Sequence, residues 1–139
     1  MRKKRINGKV DWQKAPDISI RIGHLVSALQ MNWVENDSIH CFRSHNSRAR
    51  AYARIWGLNR VWQLALDRKP AYIIEVLSEK FDGLTDHKKD EVLLHELAHI
   101  PKNFSGSLLP HIRKRGKRNF HDRVDQLVAL YKRMNSNSR

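Results

Sequence analysis

Between Pro16 and Leu29 the apolar positions Ile18, Ile22, Leu25, Val26 and Leu29 recur every three to four residues, the repeat of one helix face. Pro16 and Asp17 suit a first turn, so a helix is predicted from Pro16 onward. Asn36-Asp37 reads as a turn, and Ile39 to Arg43 alternates well enough for a short strand, followed by a polar loop from Ser44 to Arg48. Two further strands are predicted at Ala51 to Trp56 and Arg60 to Leu66, joined as a hairpin by Gly57-Leu58-Asn59. After a turn at Asp67 to Pro70, the run Ala71 to Leu77 is the strongest strand candidate in the chain. Residues 80–84 link it to a helix from Asp86, whose apolar positions are Val92, Leu93, Leu97 and Ile100. Thr85 or Asp86 can cap that helix, and Pro101 forbids simple continuation. A last helix is expected from His121 to Met134, with Val124, Leu127, Val128 and Tyr131 on one face. Helix, small mostly antiparallel sheet, helix, loop, helix is an α+β order. The chain contains no internal repeat and no glycine-rich phosphate loop.

At 139 residues the chain suits one domain. Residues 1–14 are expected as a flexible basic arm, 15–134 as the folded domain and 135–139 as a disordered tail. Cys41 is the single cysteine, so no internal disulfide forms, which fits a reducing compartment. Neither a signal peptide nor a membrane span is expected, and a cytoplasmic protein is the default.

Charge changes this picture. A formal net charge of +13 attracts polyanions and predicts salt-sensitive association. The cations cluster: Arg2 to Arg5 form one block, and Arg113, Lys114, Arg115, Lys117 and Arg118 form another. From Arg43 to Arg60 five arginines occur without an acid, among Tyr52 and Trp56, with Trp62 just beyond. Cations mixed with aromatics suit nucleic acid, whereas aromatics at strand spacing also suit a core. A solubilising basic surface is the plain alternative.

The candidate chemistry lies in His95-Glu96-Leu97-Ala98-His99. Residues four apart on a helix share a face, so both imidazoles point at one spot, and Glu96 is placed to activate water without binding the metal. A catalytic zinc needs a third protein ligand and an open position. The downstream candidates are His111, His121, Asp122 and Asp125. Six residues after His99, where a metzincin would carry histidine, stands Ser105. The segment from Asn103 to Ser107 must therefore turn the chain back before His111 can reach the metal. His121 sits at the start of the last helix beside Asp122 and Asp125, either of which could orient an imidazole. His24, His40, His45 and His87 have no spacing that argues for ligation.

The stretch from His95 to His111, with its Ile100-Pro101, Ser105-Gly106 and Pro110-His111, resembles the metallopeptidases found in phages and archaea. Ala71 to Asp82, Ala15-Pro16-Asp17 and Arg54 to Leu58 extend the resemblance from about Ala15 onward. That family is similar to compact zincins such as the YgjP-like and SprT-like proteins, with a small sheet beside the active-site helix. The resemblance implies a single zincin-like domain, one Zn2+ per chain held by His95, His99 and His111, and Glu96 as catalytic base acting on a peptide or protein substrate. The basic stretch Arg113 to Arg118, which separates Pro-His from the last helix, keeps His121 open as the alternative third ligand. The strand Tyr72 to Leu77 is read either as a substrate-docking edge or as an interior strand. Two other classes stay open: a basic nucleic-acid-binding module with a structural or degenerate zinc site, and a zinc hydrolase acting on a non-peptide bond. A peptidase drawn to protein on nucleic acid would combine the two themes. The sequence carries no signal for oligomeric state.

Overall fold

The computed structural model describes residues 9–111 and 120–137. Its elements run β1 (Asp11–Lys14), α1 (Pro16–Ala28), a 3-10 turn (Asn36–Ser38), β2 (Ile39–His45), β3 (Ala53–Gly57), α2 (Arg60–Leu66), β4 (Tyr72–Leu77), α3 (Ser78–Phe81), α4 (Asp86–Leu97) and α5 (Phe120–Asn137). The α+β class holds: five helices and one four-stranded mixed sheet form among the described residues. No described helix is long and apolar enough to cross a membrane.

The sheet order is β1-β2-β4-β3. β1 pairs antiparallel with β2, β4 antiparallel with β3, and the central pair β2–β4 is parallel. A parallel pair needs a long crossover, and here β3 and α2 lie within it. β4 is therefore interior, not an edge; the edges are β3 and β1. Its burial fits this placement: Tyr72, Ile74 and Val76 are all at most 1% exposed, and the strand is a nearly continuous apolar run.

Residues at alternate positions divide the sheet into two faces. The inner face carries Ile39, Cys41, Ala53, Tyr72, Ile74 and Val76, all buried. α1 packs on β2 and α4 on β3, closing a core to which Ile18, Ile22 and Leu25 contribute from α1, and Leu93, Leu94 and Leu97 from α4. Arg43 on β2 fastens the rim of this layer, bonding Asp17 on α1 and Asp82 just after α3.

Local chemistry sets the helix ends as anticipated in α1 and α4. Pro16 opens α1, and the Thr85 hydroxyl accepts the Lys88 amide to cap α4. The segment from Arg60 to Leu66 departs from expectation: it is a helix, not the second arm of a hairpin. Asn59 caps it by accepting the Trp62 amide at 3.1 Å, and Asp67 ends it in the left-handed region at φ 52°. Its apolar residues mislead because they face outward. Val61, Trp62, Leu64 and Leu66 are exposed, and the buried residue is Gln63. β2 extends to His45, two residues past the predicted strand, and Ser78 to Phe81 add a short helix before the predicted linker ends. Two boundaries also move: residues 11–14, expected in the arm, form β1, and α5 runs to Asn137, into the expected tail.

Candidate active site

α4 is anchored by three leucines. Leu93, Leu94 and Leu97 are wholly buried, which turns the opposite side, with His95, toward a cleft. The helix proper ends at Leu97, and the last turn tightens, with the His99 amide bonding the Glu96 carbonyl and Ile100 the Leu97 carbonyl. His99 thus lies just beyond the helix while keeping the four-residue offset that brings its ring to His95, centroid to centroid 5.5 Å.

The loop after Pro101 then doubles back. The Leu109 amide bonds the His99 carbonyl at 2.7 Å, and His99 Nδ1 donates to the Leu109 carbonyl at 2.5 Å. A carbonyl can only accept, so Nδ1 carries the proton and Nε2 is the lone-pair nitrogen. The chain then delivers His111, whose Nε2 stands 3.1 Å from Nε2 of His95. One nitrogen from each of His95, His99 and His111 lies within 4.8 Å of the others.

Distant contacts from Tyr72, Gln63 and Gly57 hold this loop in place, and none of them is legible from the motif. The Tyr72 hydroxyl donates to the Ser107 carbonyl and accepts the Gly106 amide, both at 2.8 Å. Gln63, the buried residue of α2, donates to the Ser105 carbonyl at 2.8 Å and the Leu58 carbonyl at 2.7 Å. Phe104 packs edge-on against Tyr72, centroids 4.9 Å apart. Gly106 and Gly57 meet backbone to backbone. Gly106 has φ +92°, and a Cβ there would stand 2.1 Å from the Leu58 carbonyl oxygen. A Cβ on Gly57 would come equally near the Gly106 oxygen.

Phe120, at the start of α5, roofs the three imidazoles. Its ring stacks on His99 at 4.0 Å and meets His95 and His111 edge-on. Nothing in its local sequence pattern separates Phe120 from an ordinary core aromatic.

Glu96 is 8% exposed, and burial pushes its carboxyl up to about 8 in the metal-free protein. Burial also lowers the His99 pKa, which favours the neutral ring a metal requires. Glu96, His95 and His111 line a cleft of about 900 Å³, walled by Ala51 to Arg54 leading into β3 and by Val124 and Val128 of α5.

The other predicted site residues fall as follows. Asp125 is exposed and lines the same cleft, and Asp122 is exposed on the first turn of α5. His121 belongs to α5, but its side chain lies outside the described residues, as do Arg113, Lys114, Arg115, Lys117 and Arg118. His24, His40, His45 and His87 take no part in the three-histidine cluster.

No curated protein and no solved structure matches the chain. A protein-family comparison matches residues 10–135 to the family described as "Putative phage metallopeptidase", a span that takes in β1, every other described strand and the whole histidine cluster. The chain belongs to that metallopeptidase family.

Proposed function

We propose that the protein is a zinc-dependent peptidase in which His95, His99 and His111 hold one Zn2+ and Glu96 is the general base. The observation that carries this reading is the convergence of three imidazoles, two from α4 and its last turn and one from a distant loop, with the buried Glu96 carboxylate lining one cleft together with His95 and His111. The donor set fits the ion. Two nitrogens on tetrahedral zinc, each at ~2.0–2.1 Å, stand about 3.3 Å apart, and His95 and His111 present theirs at 3.1 Å. Three neutral nitrogen donors leave the fourth position for water or substrate, the pattern of catalytic sites.

Bound there, zinc supplies Lewis acidity, polarising a scissile carbonyl and making water acidic enough to attack near neutral pH. The protein's own groups do the rest. With a cation held by the three imidazoles, the Glu96 carboxyl would ionise below the value of about 8 that burial gives it, and could then accept the proton of the attacking water. Glu96 then returns that proton to the leaving amine. Phe120 keeps bulk water from the imidazole faces. Because β3 is a sheet edge and the residues leading into it wall the cleft, an extended peptide would add alongside β3. Of the two readings of the β4 segment the interior one holds, and the docking-edge role would pass to its neighbour β3.

The test is metal content paired with cleavage of casein. Zinc near one per chain, with cleavage removed by chelation, restored by zinc and lost in Glu96→Gln, supports the reading. Tight zinc without hydrolysis would favour the structural-zinc alternative, and hydrolysis of esters alone would assign a non-peptide bond.

A further inference from the structure

The outer face of the sheet has a composition that neither the metal site nor the core explains. Register places Trp12 opposite Ser44, Lys14 opposite Phe42, Phe42 opposite Glu75, Glu75 opposite Arg54, and Ile73 between His40 and Trp56. Directly paired residues share a face, so one surface carries Trp12, Lys14, His40, Phe42, Arg54, Ile73 and Trp56. Among the described elements, α1 and α4 pack on the opposite face. Trp12 is 46% exposed, Trp56 45% and Ile73 37%, values foreign to a packed sheet interior.

This surface is also rigidly built. Glu75 is wholly buried beneath it and is bonded by Ser44 Oγ at 2.6 Å, Arg54 Nε at 2.6 Å and the Trp56 indole N–H at 3.0 Å. The Arg54 guanidinium lies 5.0 Å from the centre of the Trp56 ring. A buried carboxylate therefore fixes the attitude of an exposed indole and of the cation over it. Rings held in place lose little entropy when something stacks on them.

We propose that this face binds a single-stranded nucleic acid, with bases stacking along the diagonal Trp12–Phe42–Ile73–Trp56 and phosphates meeting the flanking cations. With strands ~4.8 Å apart and ~3.3 Å per residue, that diagonal is about 20 Å long, room for about three or four nucleotides. Beyond Trp56 it runs into a groove of about 710 Å³ between the sheet and the turn after α2, where Arg68 and Lys69 stand with Asp37 and Asp67. The occupant is chosen by charge and ring chemistry together. The chain carries +13, and Arg2, Lys3, Lys4, Arg5 and Lys9 precede β1 in sequence. A polyanion whose bases each offer a π-face matches cations set among aromatics. A duplex hides those faces, and a bilayer would want an aliphatic surface without Lys14, His40 and Arg54 set into three of its strands.

The inference is independent of the peptidase reading and is tested by anisotropy with labelled dT15, with zinc content followed alongside. Wild type should bind, with affinity falling linearly against salt on logarithmic axes. Trp12→Ala, on an exposed edge strand, should weaken binding about tenfold or more, the scale of one lost base stack. Trp56→Ala should do the same, while Trp56→Phe, which keeps a ring but loses the bond to Glu75, should recover most of the affinity. Zinc content should be unchanged throughout. The proposal is overturned if dT15 fails to bind at low salt, if both alanine variants bind like wild type, if a duplex of the same length binds equally well, or if phosphatidylglycerol vesicles displace the oligonucleotide and depend on the same tryptophans.

Discussion

The histidine cluster is assembled from two halves that are built differently. The helix half, His95 to His99, follows from one turn of α4 and its buried leucines, and needs no information from elsewhere in the chain. The loop half, Leu109 to His111, has no regular structure and is placed through Ser105 to Ser107 by residues 34 to 49 positions from them: Tyr72, Gln63, and Gly57 against Gly106. A motif of adjacent residues can therefore specify two donors by itself. The third is a property of the whole fold, and the two halves should respond differently to substitution.

The largest effect is expected in the helix half. His95→Ala or His99→Ala should abolish stoichiometric zinc as measured by elemental analysis, because two remaining imidazoles, one on a loop, do not form a closed donor set. His111→Ala should retain weak binding, since the pair on α4 survives. Equal retention in all three variants would dissolve the comparison. Next in size, Glu96→Gln should keep the metal and lower peptide hydrolysis by about 10² or more, because an amide cannot accept the proton. Zinc loss in that variant would make Glu96 a ligand.

The loop half can be loosened without touching a donor. Tyr72→Phe removes the hydroxyl that holds Ser107 and Gly106 but keeps the ring against Phe104. Zinc affinity should fall about tenfold, the low end of the 10–100-fold cost of lost supporting bonds, and His111→Ala made in the same background should cost less than it does alone. Full additivity would show that the clamp does not act through His111. Replacing Gly106 by Ala should cost more than Tyr72→Phe, since the added Cβ would clash with the Leu58 carbonyl.

The smallest effect concerns pH. Folding raises the Glu96 pKa from 4.5 to about 8 in metal-free protein, so the folded state holds the proton more tightly than the unfolded chain. That contribution is complete below about pH 4.5 and is lost as pH rises towards 8. The chelated protein should accordingly melt at lower temperature at pH 8 than at pH 6, with the difference reduced in Glu96→Gln and by added zinc. A melting temperature that rises over that interval in the chelated protein and is unaffected by Glu96→Gln would contradict the sign.

Much of this was legible in the sequence, for definite reasons. α1 and α4 announce themselves because their apolar stripes meet the core and their ends carry Pro16 and Thr85. The α+β class follows from the same periodicity. α2 misleads because its four large apolar residues face outward and its inward residue is Gln63, so the usual link between hydrophobicity and burial is reversed there. The interior place of β4 is a matter of strand order, which local pattern does not encode. His95, Glu96 and His99 were legible from spacing, and His111 only as one of several candidates. Tyr72, Gln63 and Phe120 were invisible as site residues because their roles exist only after the chain has folded.

The central claim is a three-imidazole metal site with one open position. X-ray absorption on the zinc-loaded protein tests it most directly. Three nitrogen scatterers with the multiple-scattering signature of imidazole and one oxygen are expected, all at ~2.0–2.1 Å. A shell of four imidazoles, a sulfur contribution from Cys41, or only two imidazoles would contradict it.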